Sequence, residues 1–150
     1  MNPPLSLYYM QGLNLTPLHG HAALFGVYGM LGIGLVLYCI RGIKPDLIWN
    51  EKMLKVSFWS LNIGLALMAI LTLLPIGTLQ LLAAIDHGYW YARSADFMQK
   101  PIIDTLVWMR VPGDIIFSIG ALSLCWFILE LWLNPKAEED SSKQNVGEIN

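Results

Sequence analysis

The chain has 150 residues, 55% of them apolar and only 13% charged, with a mean hydropathy of +0.52. That balance excludes intrinsic disorder and argues against an ordinary water-soluble domain. A formal net charge of -2 and a pI near 5.8 leave no basic stripe for a phosphate backbone, so nucleic acid drops out as a partner.

Residues 1–17 are expected to form an external segment. The first sixteen carry no Lys or Arg, so they lack the positive region of a cleaved signal peptide. Two stretches, 16–40 and 56–85, contain no Asp, Glu, Lys or Arg, and each exceeds the ~20 residues a helix needs to cross a bilayer. Thr16 followed by Pro17 reads as an N-cap and a first-turn proline, which places the start of the first helix at Leu18. From there to Ile40 is about 35 Å of helix, enough for a hydrocarbon core of roughly 30 Å.

The second span, 56–85, is longer than a crossing requires and contains Pro75, which predicts a tilt, a kink or an emerging last turn. A loop over 86–111 follows, rich in the amphipathic rings of a membrane interface: Tyr89, Trp90, Tyr91 and Trp108. The third span is predicted over 112–133, opened by Pro112, Gly113 and Asp114. It requires Glu130 to sit near the headgroups, to pair with a neighbour or to be protonated, because a bare carboxylate in hydrocarbon is costly. The polar tail 134–150, with Glu138, Glu139 and Asp140 in a row, reads as solvated.

The fold class is therefore an all-α membrane protein of three transmembrane helices in one small bundle, at 18–40, 56–85 and 112–133. The lipid bilayer is its first partner. Cys39 and Cys125 lie inside apolar runs without a Cys-x-x-Cys mate, so neither a disulfide framework nor a zinc ribbon is available. One side of the membrane holds Arg41, Lys44, Lys52 and Lys55 with the tail's Lys136 and Lys143; the other holds Arg93, Lys100 and Arg110. By the positive-inside rule the tail is cytoplasmic and the His19 end external. Within the second span, Asn62, Thr72, Thr78 and Gln80 are expected to bond between helices.

The chemistry of the chain concentrates in His19-Gly20-His21, in the first turn of a membrane helix. Helical residues two apart are separated by about 200°, so the imidazoles aim at nearly opposite faces and cannot share one metal. Each needs its own neighbour. A helix running between two flat cofactors has this geometry, and haem iron is commonly held by an axial histidine, so His19 and His21 are the candidate metal ligands. Ala23 and Gly26 fall below His19; Phe25, Tyr28 and Gly32 fall below His21. Proton relay and interfacial hydrogen bonding stay open as alternatives, and the small residues Ala22, Gly26, Gly29 and Gly32 also suit plain helix packing.

The segments PLHGHAALFGVYG, SFWSLNIGLALM, HGYWYARSADF and WMRVPGD, in this order over roughly residues 5–133, resemble the C-terminal part of the nitric oxide reductase large (cytochrome b) subunit of the haem-copper oxidase superfamily. The quinol-dependent form is the most similar. The resemblance implies that His19 is the proximal ligand of a high-spin b-type haem, and His21 one of two axial ligands of a low-spin b-type haem. It further implies a reaction that joins two NO with two electrons and two protons to give nitrous oxide and water, in a bacterial inner membrane. For WMRVPGD the resemblance implies that Arg110 lies near haem propionates, a cofactor-binding role; a phospholipid headgroup or a carboxylate such as Asp114 are its other candidate partners.

The pattern departs from the family in what it lacks. The resemblance implies a non-haem iron held by three histidines and a glutamate on other helices, and none of those helices is in this sequence. His87, the remaining histidine, stands in no ligand motif and reads as an interfacial residue. The expectation is a fragment, inactive alone, whose partners are the remaining helices of the large subunit and an electron donor, quinol or cytochrome c. An oxygen-reducing haem-copper oxidase and a small non-enzymatic haem-binding membrane subunit are the alternative readings.

Overall fold

A computed structural model describes residues 3–45 and 47–133. The predicted tail, 134–150, lies outside them. Three helices long and apolar enough to cross a membrane make up the fold: Leu15–Ile43, Glu51–His87 and Pro101–Leu133. They run antiparallel in succession, so the start of the first, the end of the second and the start of the third share one end. A short helix, Pro4–Met10, precedes them; a 3-10 turn, Tyr91–Arg93, and a four-residue helix, Ala95–Met98, lie between the second and third.

All three spans outrun their predicted limits. The first begins at Leu15 rather than Leu18, and Thr16 does not cap it. Instead Thr16 Oγ1 accepts from the Gly12 N–H at 3.1 Å and donates to the Met10 carbonyl at 3.0 Å, folding the preceding turn onto the helix. The second starts at Glu51, with Asn50 as its N-cap: Asn50 Oδ1 accepts from the Met53 N–H. The third starts at Pro101, eleven residues before the predicted position, with only Met109 interrupting Pro101–Trp108 and Arg110–Leu133. Proline at the first helical position is tolerated because its missing N–H would have no intrahelical partner. Much of the predicted 86–111 loop is therefore helix.

Two stretches of π-helix interrupt the α-helical ladder, His21–Gly29 in the first span and Ala69–Leu73 in the second. The second lies just ahead of Pro75. A proline inside a helix has no N–H to give and its ring crowds the carbonyl four residues back; a widened turn relieves both. The sequence predicts a tilt, a kink or an emerging last turn at Pro75; what the structure has beside it is this π segment.

The second and third spans form the tight pair. Leu61 and Met68 face Gly120 and Gly113, and Gly64 lies against Phe117; Gly113, Gly120 and the buried Phe127 recur at heptad spacing. A methyl group at Gly64 would sit 2.6 Å from the Phe117 backbone nitrogen, and one at Gly120 would sit 2.7 Å from the Leu61 nitrogen. Only a hydrogen fits there, and close backbone approach at small residues is how helices associate where hydrocarbon surrounds them. At the opposite end from His87, Trp49 packs edge-on against Phe127, Arg41 lies over the Trp49 ring, and Asn50 Nδ2 donates to Glu130 Oε2 at 3.4 Å. Glu130 is thus paired with a neighbour, as its position demanded.

At the His87 end a cluster of Leu13, Ile76, Ala83, Ala84, Ala92, Phe97 and Ile103 binds the connecting segments to the second span. Its polar centre is Gln80, 4% exposed. Gln80 Oε1 accepts from the Asn14 N–H at 2.8 Å, while Nε2 donates to the Ala92 carbonyl at 3.2 Å and approaches Met98 Sδ at 3.3 Å. That bears out an inter-element role for Gln80. Asn62 and Thr78 behave otherwise: each donates to the carbonyl four residues back in its own helix, Phe58 and Leu74. This local bond satisfies a polar side chain among apolar neighbours without help from another helix. Thr72, buried in the π segment, has no hydrogen-bond partner among the described residues.

Candidate functional site

The first span meets the second and third spans near its start. Phe25 meets Phe117 edge-on at 5.0 Å, and a methyl group at Gly26 would lie 3.2 Å from Leu65 Cδ2, whereas Gly32 and Gly34 face open space. Where the three spans converge, a half-open cleft of about 460 Å³ is lined by His21 and Phe25 of the first span, Leu65 and Met68 of the second, and Arg110, Asp114, Phe117 and Ser118 of the third.

His21 enters this cleft with a fixed tautomer. Its Nδ1 lies 2.7 Å from the carbonyl oxygen of Pro17. A carbonyl can only accept, so Nδ1 carries the hydrogen and donates it, which leaves Nε2 outside that bond and, in the neutral ring, with the lone pair. A backbone carbonyl on the distal ring nitrogen is the arrangement that orients a metal-bound imidazole.

Arg110 opens the second part of the third helix, half-exposed at the cleft's mouth. Its Nε is 3.2 Å from the Asp114 carboxylate, one turn along. Asp114, one of the alternative partners weighed for Arg110, is the one it meets. Only Nε is engaged, so the terminal nitrogens keep their donors for a second anion.

The sequence-predicted residues thus divide. His21 and Arg110 come together in one cleft; His19 lies outside it, exposed, in the α-helical turn Leu15–Gly20 that precedes the π segment. Positions 16–24 are helical throughout, α-helical up to Gly20 and π-helical from His21. Gly20 between them faces open space. Below the pair, the α-helical projection fails in part: Gly26 faces the second span, and Tyr28 is 67% exposed, leaving Phe25 beside His21. The i→i+5 winding from His21 onwards changes the angle per residue, so positions later in the span drift from the α-helical faces. His87 is exposed and lies against the Tyr91 ring, away from the cleft. Among the described residues no group of three or more His, Cys, Asp or Glu side chains could hold a metal.

A family model described as "Cytochrome C and Quinol oxidase polypeptide I" matches residues 1–116. The chain belongs to this family. The family is that of subunit I of the haem-copper oxidases, whose members act as oxidoreductases within a larger complex and bind haem. The match takes in both histidines, Arg110 and Asp114.

The cleft's donor set fits a haem. It presents one imidazole with a free Nε2, apolar and aromatic walls from Phe25, Leu65, Met68 and Phe117, and a guanidinium at the mouth for a carboxylate. Those walls were missed in the sequence, apart from Phe25. The seven-residue recurrence of Gly113, Gly120 and Phe127 was the signal that would have set the third span against the second.

Proposed function

We propose that this chain supplies one axial imidazole to each of two b-type haems, His21 to a low-spin haem and His19 to a high-spin one, within a respiratory nitric oxide reductase of quinol-dependent type. The observation that carries the reading is the His21–Pro17 hydrogen bond, which engages Nδ1 and leaves Nε2 available beside the cleft's apolar walls, while His19 stands outside that cleft. The haems, when bound, supply redox-active iron. The chain's own residues bind and orient: Pro17 holds the His21 ring, Asp114 holds Arg110 at the mouth, and Arg110 offers its remaining donors to a propionate.

The preference for NO over oxygen rests on the order of the four motifs around the two histidines, Tyr89 to Tyr91 and Arg110. In that reading two NO, two electrons and two protons give N2O and water. The non-haem iron takes its histidines and glutamate from further helices of the subunit, and quinol or cytochrome c donates the electrons. The resemblance implies a bacterial inner membrane, and the charge distribution supports an orientation with the His19 end external and the C-terminus cytoplasmic.

Oxygen reduction is the second reading, favoured by the oxidase description of the matching family. Membranes carrying the subunit with its companion helices, fed with a quinol or reduced cytochrome c, decide between them: NO uptake with N2O formation supports the proposal, whereas oxygen uptake without NO turnover overturns it. In the same preparation His19→Ala abolishes turnover with the low-spin spectrum intact, and His21→Ala removes that spectrum. Loss of both haems from either change would overturn the separate assignment.

A further inference from the structure

The head of the first span is pinned to the second span at two points one helical turn apart. Gln80, buried, accepts through Oε1 from the Asn14 N–H at 2.8 Å. Asn14 is the N-cap residue of the first span, its own side chain makes no capping bond, and its carbonyl accepts from the Leu18 N–H at 3.1 Å. The bond to Gln80 therefore ties the main chain at the helix start to a buried side chain of another span. Three residues earlier, Gly77 receives Leu15: a methyl group there would lie 2.7 Å from Leu15 Cγ and 2.8 Å from the Leu15 nitrogen. Leu15 is buried at this contact, and because the crowded atoms include main chain, a larger residue at 77 would push the helix itself outward.

These pins stand two turns from a haem-facing ring. Asn14 precedes Pro17 by three residues and His21 by seven, about 10 Å of helix. The Pro17 carbonyl accepts from both the His21 main-chain N–H and the ring Nδ1, the latter at 2.7 Å. A shift or rotation at Asn14 and Leu15 thus moves Pro17, and Pro17 carries the ring. Beyond the ring the span meets Phe117 through Phe25 and Leu65 through Gly26, and then faces open space at Gly32 and Gly34. The orientation and basicity of a metal-bound imidazole follow the bond made by its other nitrogen, so a small displacement of its acceptor reaches the metal.

We infer that Gln80 and Gly77 are positioning residues for the haem ligand: together they set the height and rotation of the first span's head and, through Pro17, the direction of the His21 ring. The inference rests on the reading of His21 as a low-spin haem ligand.

Optical spectra and redox titration of the low-spin haem, in membranes carrying the subunit with its companion helices, test it. Gln80→Leu and Gly77→Ala each weaken the low-spin bands, bring up a high-spin component and shift the midpoint potential upward, because imidazole donation favours ferric iron. Gly77→Ala leaves the hydrogen bonds of Gln80 in place, so it carries the test where Gln80→Leu fails to assemble. Gln80→Glu keeps an oxygen for the Asn14 N–H and restores both readouts to the wild-type position. Asn50→Ala, which loosens the far end of the second span, leaves them in place. His21→Ala separates the two levels. If it keeps the low-spin bands, the ligand reading falls and this inference with it. If it loses them while Gln80→Leu or Gly77→Ala leaves spectrum and potential unchanged, the ligand reading stands and the positioning role is overturned. A shift in Gln80→Glu as large as in Gln80→Leu would trace the effect to the Ala92 and Met98 contacts, and an equal shift in Asn50→Ala would trace it to general loosening; either overturns the proposal.

Discussion

His21 donates its Nδ1 hydrogen to the carbonyl oxygen of Pro17, 2.7 Å away and one turn back in the same helix. The acceptor is main chain, so the ring's orientation depends on the helix and not on which side chain occupies position 17. Pro17→Ala is therefore expected to keep the low-spin haem spectrum, while His21→Ala loses it. Optical difference spectra of the two variants, prepared side by side, check this; loss of the spectrum in Pro17→Ala would show that the proline ring itself sets the imidazole.

The Gly120 site gives a packing prediction. An added methyl would meet the Leu61 backbone nitrogen at 2.7 Å, and backbone cannot step aside as a side chain can. Gly120→Ala is expected to cost about 1–3 kcal/mol. Gly34 faces open space, so Gly34→Ala is expected to be neutral or to stabilise by about 0.5–1 kcal/mol through helix propensity. Unfolding of both variants in mixed micelles measures the contrast.

Gln80→Leu keeps the volume of the buried side chain but removes its polar atoms. The Asn14 N–H and the Ala92 carbonyl then lose the partner that held them, at about 1–3 kcal/mol for each buried group left unpaired. Hydrogen exchange should rise at Asn14 and across 88–98 and stay unchanged around Gly120. Uniform loosening of the whole chain would show that Gln80 is not a local clamp.

Asn50 works in two directions, capping the second span through Oδ1 and donating to Glu130 through Nδ2. Asn50→Ser keeps the cap and loses the donor; Asn50→Ala loses both. The difference in stability between the two variants is expected to be about 1 kcal/mol, the worth of an N-cap. Equal stabilities would assign the whole effect of Asn50 to Glu130.

The spans were legible because charge is so costly in hydrocarbon that its absence over long runs marks a crossing. Their ends were not, since Glu51, Lys52 and Lys55 sit comfortably in helical turns beyond the hydrocarbon, and Pro101 can open a helix as readily as close one. Winding was hidden almost entirely. Pro75 announced a distortion in the second span, but nothing in HAALFGVYG marks a change of hydrogen-bond register, and faces projected past His21 went astray at Gly26. Small residues drew attention in the first span, whereas the closest helix contact uses Gly64, Gly113 and Gly120. Residue size shows that a close approach is possible and leaves the partner unnamed. At the cleft, His21, Arg110 and Asp114 were named from the sequence, whereas Ser118 and most of the apolar walls depended on which helices meet.

The glycine-zippered union of the second and third spans contrasts with the first span, which leans on them by its head and stands clear at Gly32 and Gly34. In a bilayer the former pair is a finished hairpin, able to settle by itself. The histidine-bearing rod is the piece with sides still to be claimed, so its bearing is decided by whichever neighbours come to lie along it. Anything that loosens those contacts would unsettle the imidazoles before it troubled the rest of the protein.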